Sequence, residues 1–126
     1  MADVTGLDFV GVPSTDWKRT RAFYIDTLGL RADEHSEAEF WVGDTCFGIW
    51  EPASFGMEFS PQRNAHIALH VDDVEATRAE LEVKGIQFAG PTMDSGVCHM
   101  AFFRDPDGND LMLHSRYAPY AENTAT

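Results

Sequence analysis

The chain repeats itself. Thr20-Arg21-Ala22 returns as Thr77-Arg78-Ala79 fifty-seven positions later, and the same offset lays Asp16 on Asp73 and Phe9 on His66. Three matching residues carry little weight alone, but each half also reads as strand, helix and then three strands. A shared order of elements at a shared offset is the mark of duplication. Duplication restricts the fold to a pair of similar modules, each with one helix to cover one face of its strands.

In the first half, Leu7 to Val12 alternates as a strand, with Val10 and Val12 on one face and Leu7, Phe9 and Gly11 on the other. Pro13 ends it. Ser14, Thr15 or Asp16 can cap a helix running to about Leu28, where Gly29 supplies a left-handed stop. Arg31 to about His35 reads as a short polar strand. Glu39–Val42 and Thr45–Trp50 form a hairpin around Gly43-Asp44, with Phe47 and Ile49 on one face and Cys46, Gly48 and Trp50 on the other. Glu51 to Asn64 is a loop whose Phe55, Met57 and Phe59 suggest packing rather than a free tether.

The second half restarts at Ala65–Val71, with Ile67, Leu69 and Val71 opposite His66, Ala68 and His70. Asp72 or Asp73 caps a helix from Val74 to about Lys84, and Gly85 stops it. Ile86–Ala89 reads as a strand, Gly90–Gly96 as a loop and Val97–Arg104 as a strand. Asp105-Pro106-Asp107-Gly108-Asn109 is a turn with a mechanism: Pro106 presets φ, Asp107 and Asn109 can bond their own backbone, and Gly108 supplies positive φ. Asp110 to His114 then alternates, with Leu111 and Leu113 opposite Asp110, Met112 and His114. The expected organisation is one domain over 1–126: an N-terminal module 6–51, a linker 52–64, a C-terminal module 65–115 and a tail 116–126.

Formal net charge is −12. That argues against nucleic acid and anionic membrane as partners and favours a cationic ligand where carboxylates gather near a pocket. Cys46 and Cys98 have no metal-type spacing and read as reduced thiols. Without a membrane-length apolar run or a signal-peptide pattern, a cytoplasmic location is expected.

The helix ending in Ala22-Phe23-Tyr24 before Leu28-Gly29-Leu30, the strand His66-Ile67-Ala68-Leu69-His70-Val71-Asp72, and the turn 105–109 together resemble the vicinal oxygen chelate superfamily. That group includes glyoxalase I, methylmalonyl-CoA epimerase, extradiol dioxygenases, fosfomycin-resistance transferases and bleomycin-resistance proteins. The resemblance implies an α+β fold of two βαβββ modules forming a curved mixed sheet around a cup, and it implies paired modules, hence a homodimer. It also implies a divalent ion at positions that are Phe9, Gly48, His66 and Met112 here. Of these only His66 ligates a hard or borderline ion well; Phe9 and Gly48 have no side-chain donor, and Met112 offers a soft thioether.

The expected function is therefore a metal-free, cofactor-free binding protein holding an aromatic or cationic small molecule. Its ligand-binding residues are Phe9, Gly48, Trp50, His66, His70, Met112 and His114. The alternative is an enzyme of the same superfamily, a lyase, isomerase or dioxygenase. It would use His66 as acid–base, or an unusual metal site of His66 and His114 with Glu51 or His99. Phe40, Trp41 and Phe102 are further candidates to stack on a ligand or to fill the core.

Overall fold

The computed structural model describes residues 2–119. They form two compact units. One takes the residues up to Ala65 together with Asp105–Asn109; the other takes His66–Arg104 and the residues from Asp110 onward.

In the first unit, β1 (Phe9–Pro13), β2 (Arg31–Ala32), β3 (Glu39–Val42) and β4 (Thr45–Trp50) form a sheet in the order β1-β4-β3-β2. β1 runs parallel to β4, and the other pairs are antiparallel. Helix α1 (Trp17–Ala22) begins after Asp16, whose side chain accepts from the Arg19 N–H, while Glu51 Oε2 accepts from the Trp17 N–H at 2.9 Å. These two carboxylates satisfy orphan donors of the first turn. The expected helix to Leu28 does not continue as an α-helix. At Phe23–Thr27 it widens to a π turn, with the Leu28 N–H donating to the Phe23 carbonyl at 3.1 Å. Phe23 and Tyr24 are both buried there, and Tyr24 meets Phe47 at 4.9 Å and Phe40 at 5.5 Å between ring centroids. Val12, Phe40, Phe47 and Ile49 complete this core, each worth roughly 1.5–3 kcal/mol of burial. Phe40 is thus a core ring, and the Trp41 indole N–H is spent on Asp33 at 2.9 Å. The stretch after β4 opens with a 3₁₀ turn, Pro52–Phe55.

The second unit pairs β5 (Ile67–His70), β6 (Met93–Asp94), β7 (Cys98–Arg104) and β8 (Asp110–Arg116) in the order β5-β8-β7-β6. Helix α2 (Val74–Val83) is capped by Asp73, which accepts from the Ala76 N–H at 3.0 Å, and Gly85 closes it at φ 94°. Leu69, Val74, Leu81, Ala101, Phe103, Leu111 and Leu113 form the core. No strand forms over Ile86–Ala89. Phe88 is occupied in packing on Phe103 and under the Arg78 guanidinium, and Ala89 makes a single bond to the Phe102 carbonyl before Gly90 turns the chain. The edge strand comes later, at Met93–Asp94, inside the stretch expected as a loop. The last strand runs two residues beyond His114, and residues 120–126 of the expected tail lie outside the described residues.

The expectation of a curved mixed sheet around a cup is not met. The described residues form two separate, open four-stranded sheets, neither strongly curled nor closed. Each is bounded by a strand of only two residues, β2 or β6, too short to carry a ladder round a curve. The βαβββ order of both modules is present.

The turn 105–109 is held by the first unit. Asp105 is buried and accepts from the Tyr24 hydroxyl at 2.7 Å, the Asn109 amide at 2.8 Å, and the backbone N–H groups of Asp107 and Asn109, both at 2.9 Å. Burial and the neighbouring Asp105 carboxylate push the Tyr24 phenol well above its ordinary pKa. Asn109, fully buried, donates to the Pro13 carbonyl at 2.9 Å and accepts from the Gln62 N–H at 2.8 Å. Gly108 stands at φ 88°, with the Arg63 guanidinium 3.2 Å from where a Cβ would be.

Candidate functional site

Alternation along β1 and β4 sets the two faces of the first unit's sheet. Val12, Phe47 and Ile49 go to the core, and the intervening residues Phe9, Gly11, Gly48 and Trp50 line a cavity of about 560 Å³. That volume suits a small organic molecule. Register places Gly11 beside Gly48 on the parallel strands, and a Cβ at Gly11 would stand 3.6 Å from the Phe9 and Trp50 rings. Two glycines therefore form a floor of bare backbone. Phe55, from the 3₁₀ turn, sets its ring edge-on to Trp50 at 6.1 Å. Phe9 and Phe55 are about two-thirds exposed or more (66% and 72%), so the ring surface is free to meet a ligand.

Among the described residues one charged side chain lines this cavity. Glu39 lies opposite Gly48 across the β3–β4 hairpin, and its Oε2 accepts from the Cys46 thiol at 2.9 Å. The bond to Glu39, then burial, push the Cys46 pKa up to about 11. At neutral pH the thiol is protonated and serves as a donor, not a nucleophile.

Among the sequence-derived candidates, Phe9, Gly48 and Trp50 are thus gathered in one cavity. Gly11 and Cys46, on the same faces of β1 and β4, join them as expected from alternation, while Phe55 and Glu39 join them without having been named as site residues. Signals for both exist: Phe55 belongs to an apolar loop, and Glu39 pairs with Gly48 by counting back from the hairpin turn.

The other candidates belong to the second unit. His66 stands just before β5, edge-on to Phe102 at 5.2 Å, with Nε2 3.8 Å from Asp110 Oδ2. The Asp110 carboxylate is nearly buried, and its Oδ1 accepts from Arg104 Nε at 2.9 Å. The His66 side chain is about a quarter exposed (27%) and so remains reachable. Nε2 is the ring nitrogen turned to Asp110, and Nδ1 is the one not turned to that carboxylate. Met112 and His114 pair in register with Ala68 and His70 on the parallel β5. The His70 ring meets Asp72 at 3.2 Å in solvent.

The family's divalent ion does not fit this donor set. Phe9 and Gly48 offer no ligand atom, Met112 a thioether, and His66 one imidazole. The unusual site of His66, His114 and Glu51 or His99 is not assembled either. Among the described residues no three His, Cys, Asp or Glu side chains are grouped to hold a metal. Glu51 is committed to α1, and His99 to Asp94 at 3.4 Å. No described helix is long and apolar enough to cross a membrane.

The two βαβββ modules, the buried aspartate turn and an apolar, glycine-floored cavity are those of a protein of the vicinal oxygen chelate type. Residues 6–113 match the model of the Glyoxalase/Bleomycin resistance protein/Dioxygenase superfamily, and the chain belongs to that superfamily. It is 31% identical over 120 residues to the uncharacterised protein YaeR of Escherichia coli, covering 85% of this chain and 93% of that protein. It is 30% identical over 118 residues to a protein of Vibrio parahaemolyticus described as "Probable lactoylglutathione lyase", covering 78% and 81%. Among solved structures it resembles TnmS3, an antibiotic binding protein from a Streptomyces species, with a TM-score of 0.72 and 25% identity over 92% of this chain and 99% of that one.

Proposed function

We propose that this chain is an enzyme of small-molecule metabolism that moves a proton, as a lyase or isomerase does, with His66 as the acid–base group. The observation that carries this is the His66 imidazole held 3.8 Å from a carboxylate that Arg104 fixes in turn. A buried carboxylate beside the imidazole supplies an opposite charge next to a group that takes and returns a proton. The similarity to the protein described as a probable lactoylglutathione lyase supports the same class. The donor set does not fit a metal, so the imidazole acts alone: Nδ1 takes a proton from carbon beside a carbonyl and delivers it to the neighbouring atom. The test is turnover of the hemithioacetal of methylglyoxal and glutathione, and of related α-hydroxycarbonyl compounds, by chelator-treated protein and by His66→Gln. Turnover that survives chelator and is lost with His66→Gln is the expected result. Equal turnover by both proteins would remove His66 from the chemistry.

A second reading, a binding protein that does not transform its ligand, is favoured by the cavity of the first unit. Phe9, Trp50 and Phe55 offer ring surface there, and the similarity to an antibiotic binding protein supports it. Saturable binding of aromatic compounds with no product formed would favour this reading over the first.

A further inference from the structure

Glu39 is a carboxylate in an otherwise uncharged cavity. Its neighbours there are three aromatic rings, two glycines, Ala38, Ile49 and a thiol. Among the described residues no lysine, arginine or histidine forms an ion pair with it; the Cys46 thiol, a neutral donor, engages one oxygen. A carboxylate has about four acceptor positions, and Glu39 is exposed at the cavity's edge, so the positions that the thiol leaves are open to an incoming donor. The rings of Phe9, Trp50 and Phe55 present negative π faces, which attract a cation in the same place. The chain's net charge of −12 raises the local concentration of cations and repels anions before contact.

On the binding reading above, we propose that the cavity selects an organic cation with a flat apolar body, of the arylammonium class, and that Glu39 is its charge-selecting residue. The apolar body lies on the glycine floor against Trp50 and Phe9. The cationic head lies toward Glu39, where Cys46 holds the carboxylate in place. A neutral molecule of the same shape fills the same space but brings no opposite charge to Glu39. An anionic molecule meets both Glu39 and the π faces with the wrong sign.

Two probes of matched shape separate the charge from the fit: meta-hydroxyphenyltrimethylammonium and its neutral isostere meta-tert-butylphenol. Binding is measured by calorimetry on the full chain, wild type and Glu39→Gln, at low and high salt. Glutamine keeps an acceptor for the Cys46 thiol. Wild type should bind the cation about tenfold tighter than the isostere, and salt should narrow the gap. Glu39→Gln should lose that preference while binding the isostere as wild type does. If wild type binds both probes equally, charge selection by Glu39 is overturned and the cavity remains a neutral aromatic site. If neither probe binds wild type at millimolar concentration, the binding reading of the cavity fails with it. If Glu39→Gln keeps the full preference, another group selects the charge and the assignment to Glu39 is withdrawn. Wild-type discrimination stands as a measurement even where the variant folds poorly.

Discussion

Asn109→Ala is the most informative single change, because this fully buried amide is shared by three segments of the first unit. The substitution removes the bond to Asp105 Oδ2, the bond to the Pro13 carbonyl at the end of β1, and the acceptor of the Gln62 N–H. Two are neutral bonds, worth about 1 kcal/mol each, and the bond to the carboxylate adds about 2. The expected loss is about 4 kcal/mol. For a chain of this size, that lowers the melting temperature by about 15 °C. Circular dichroism through thermal unfolding measures it. Asn109→Asp keeps the shape, replaces the amide donor with a carboxylate, and sets that group beside Asp105. At neutral pH it should be less stable than Asn109→Ala, and acidification should close the gap as the introduced carboxyl protonates. A fall of less than about 4 °C for Asn109→Ala, or a gap between the two variants that ignores pH, would refute the account of the turn as the fastening of this unit.

Two further outcomes follow from the same geometry. Burial raises the Asp107 pKa, but the hydrogen bonds from the Thr15 N–H and from the Thr20, Ser14 and Thr15 hydroxyls outweigh it, and the net shift is downward. A group held below its unfolded value of about 3.9 gives stability above that value and loses it as pH falls through the folded value. Asp107→Asn should therefore be less stable than wild type at neutral pH and approach it in acid, with a pH-independent difference counting against the assignment. β1 and β5 each end a sheet, and with the exposed apolar residues Val4, Leu7 and Met93 this leads us to expect a homodimer. Light scattering at micromolar concentration should give about twice 14.0 kDa, and a monomer mass across a dilution series would rule it out.

Much of the fold was legible because its signals are local. Alternation placed β3 and β4 at their observed ends, Asp73 and Gly85 bounded α2, and Asp105-Pro106-Asp107-Gly108-Asn109 announced its turn. The misses have non-local causes. The π turn at Phe23–Thr27 accompanies the burial of two adjacent rings, a packing demand that helical periodicity alone does not express. The displaced edge strand at Met93–Asp94 exists because β7 reaches past it, with Met93 opposite Met100; nothing in its own composition says strand. The curved sheet was carried over from the family resemblance, whereas pairing stops at β2 and β6. For the site, parity sufficed to bring Phe9, Gly48 and Trp50 together, since all three lie on paired strands. Glu39 was within reach too: a two-residue turn at Gly43-Asp44 fixes Val42 opposite Thr45, and counting outward puts Glu39 opposite Gly48. Phe55 depends on how an irregular segment folds back, which no short-range pattern encodes.

The side chains that fasten the first unit and those that line its cavity are different sets. Tyr24, Asp105, Asp107 and Asn109 hold the turn with hydrogen bonds. Phe9, Gly11, Glu39, Gly48 and Trp50 line the cavity, and none of their side chains bonds to that network. Residues without shared partners have nearly additive effects on stability. Changes on the cavity side can therefore alter what is bound without loosening the turn, provided the floor keeps its strands. The family's ion positions illustrate this. Phe9 and Gly48 carry no ligand atoms, yet β1 and β4 keep their full register from Phe9–Cys46 to Pro13–Trp50. Main-chain pairing holds the strands, and the outward side chains are free to set the chemistry. A fold divided in this way can host metal-bearing and metal-free members on one framework, with the site rather than the fold deciding function.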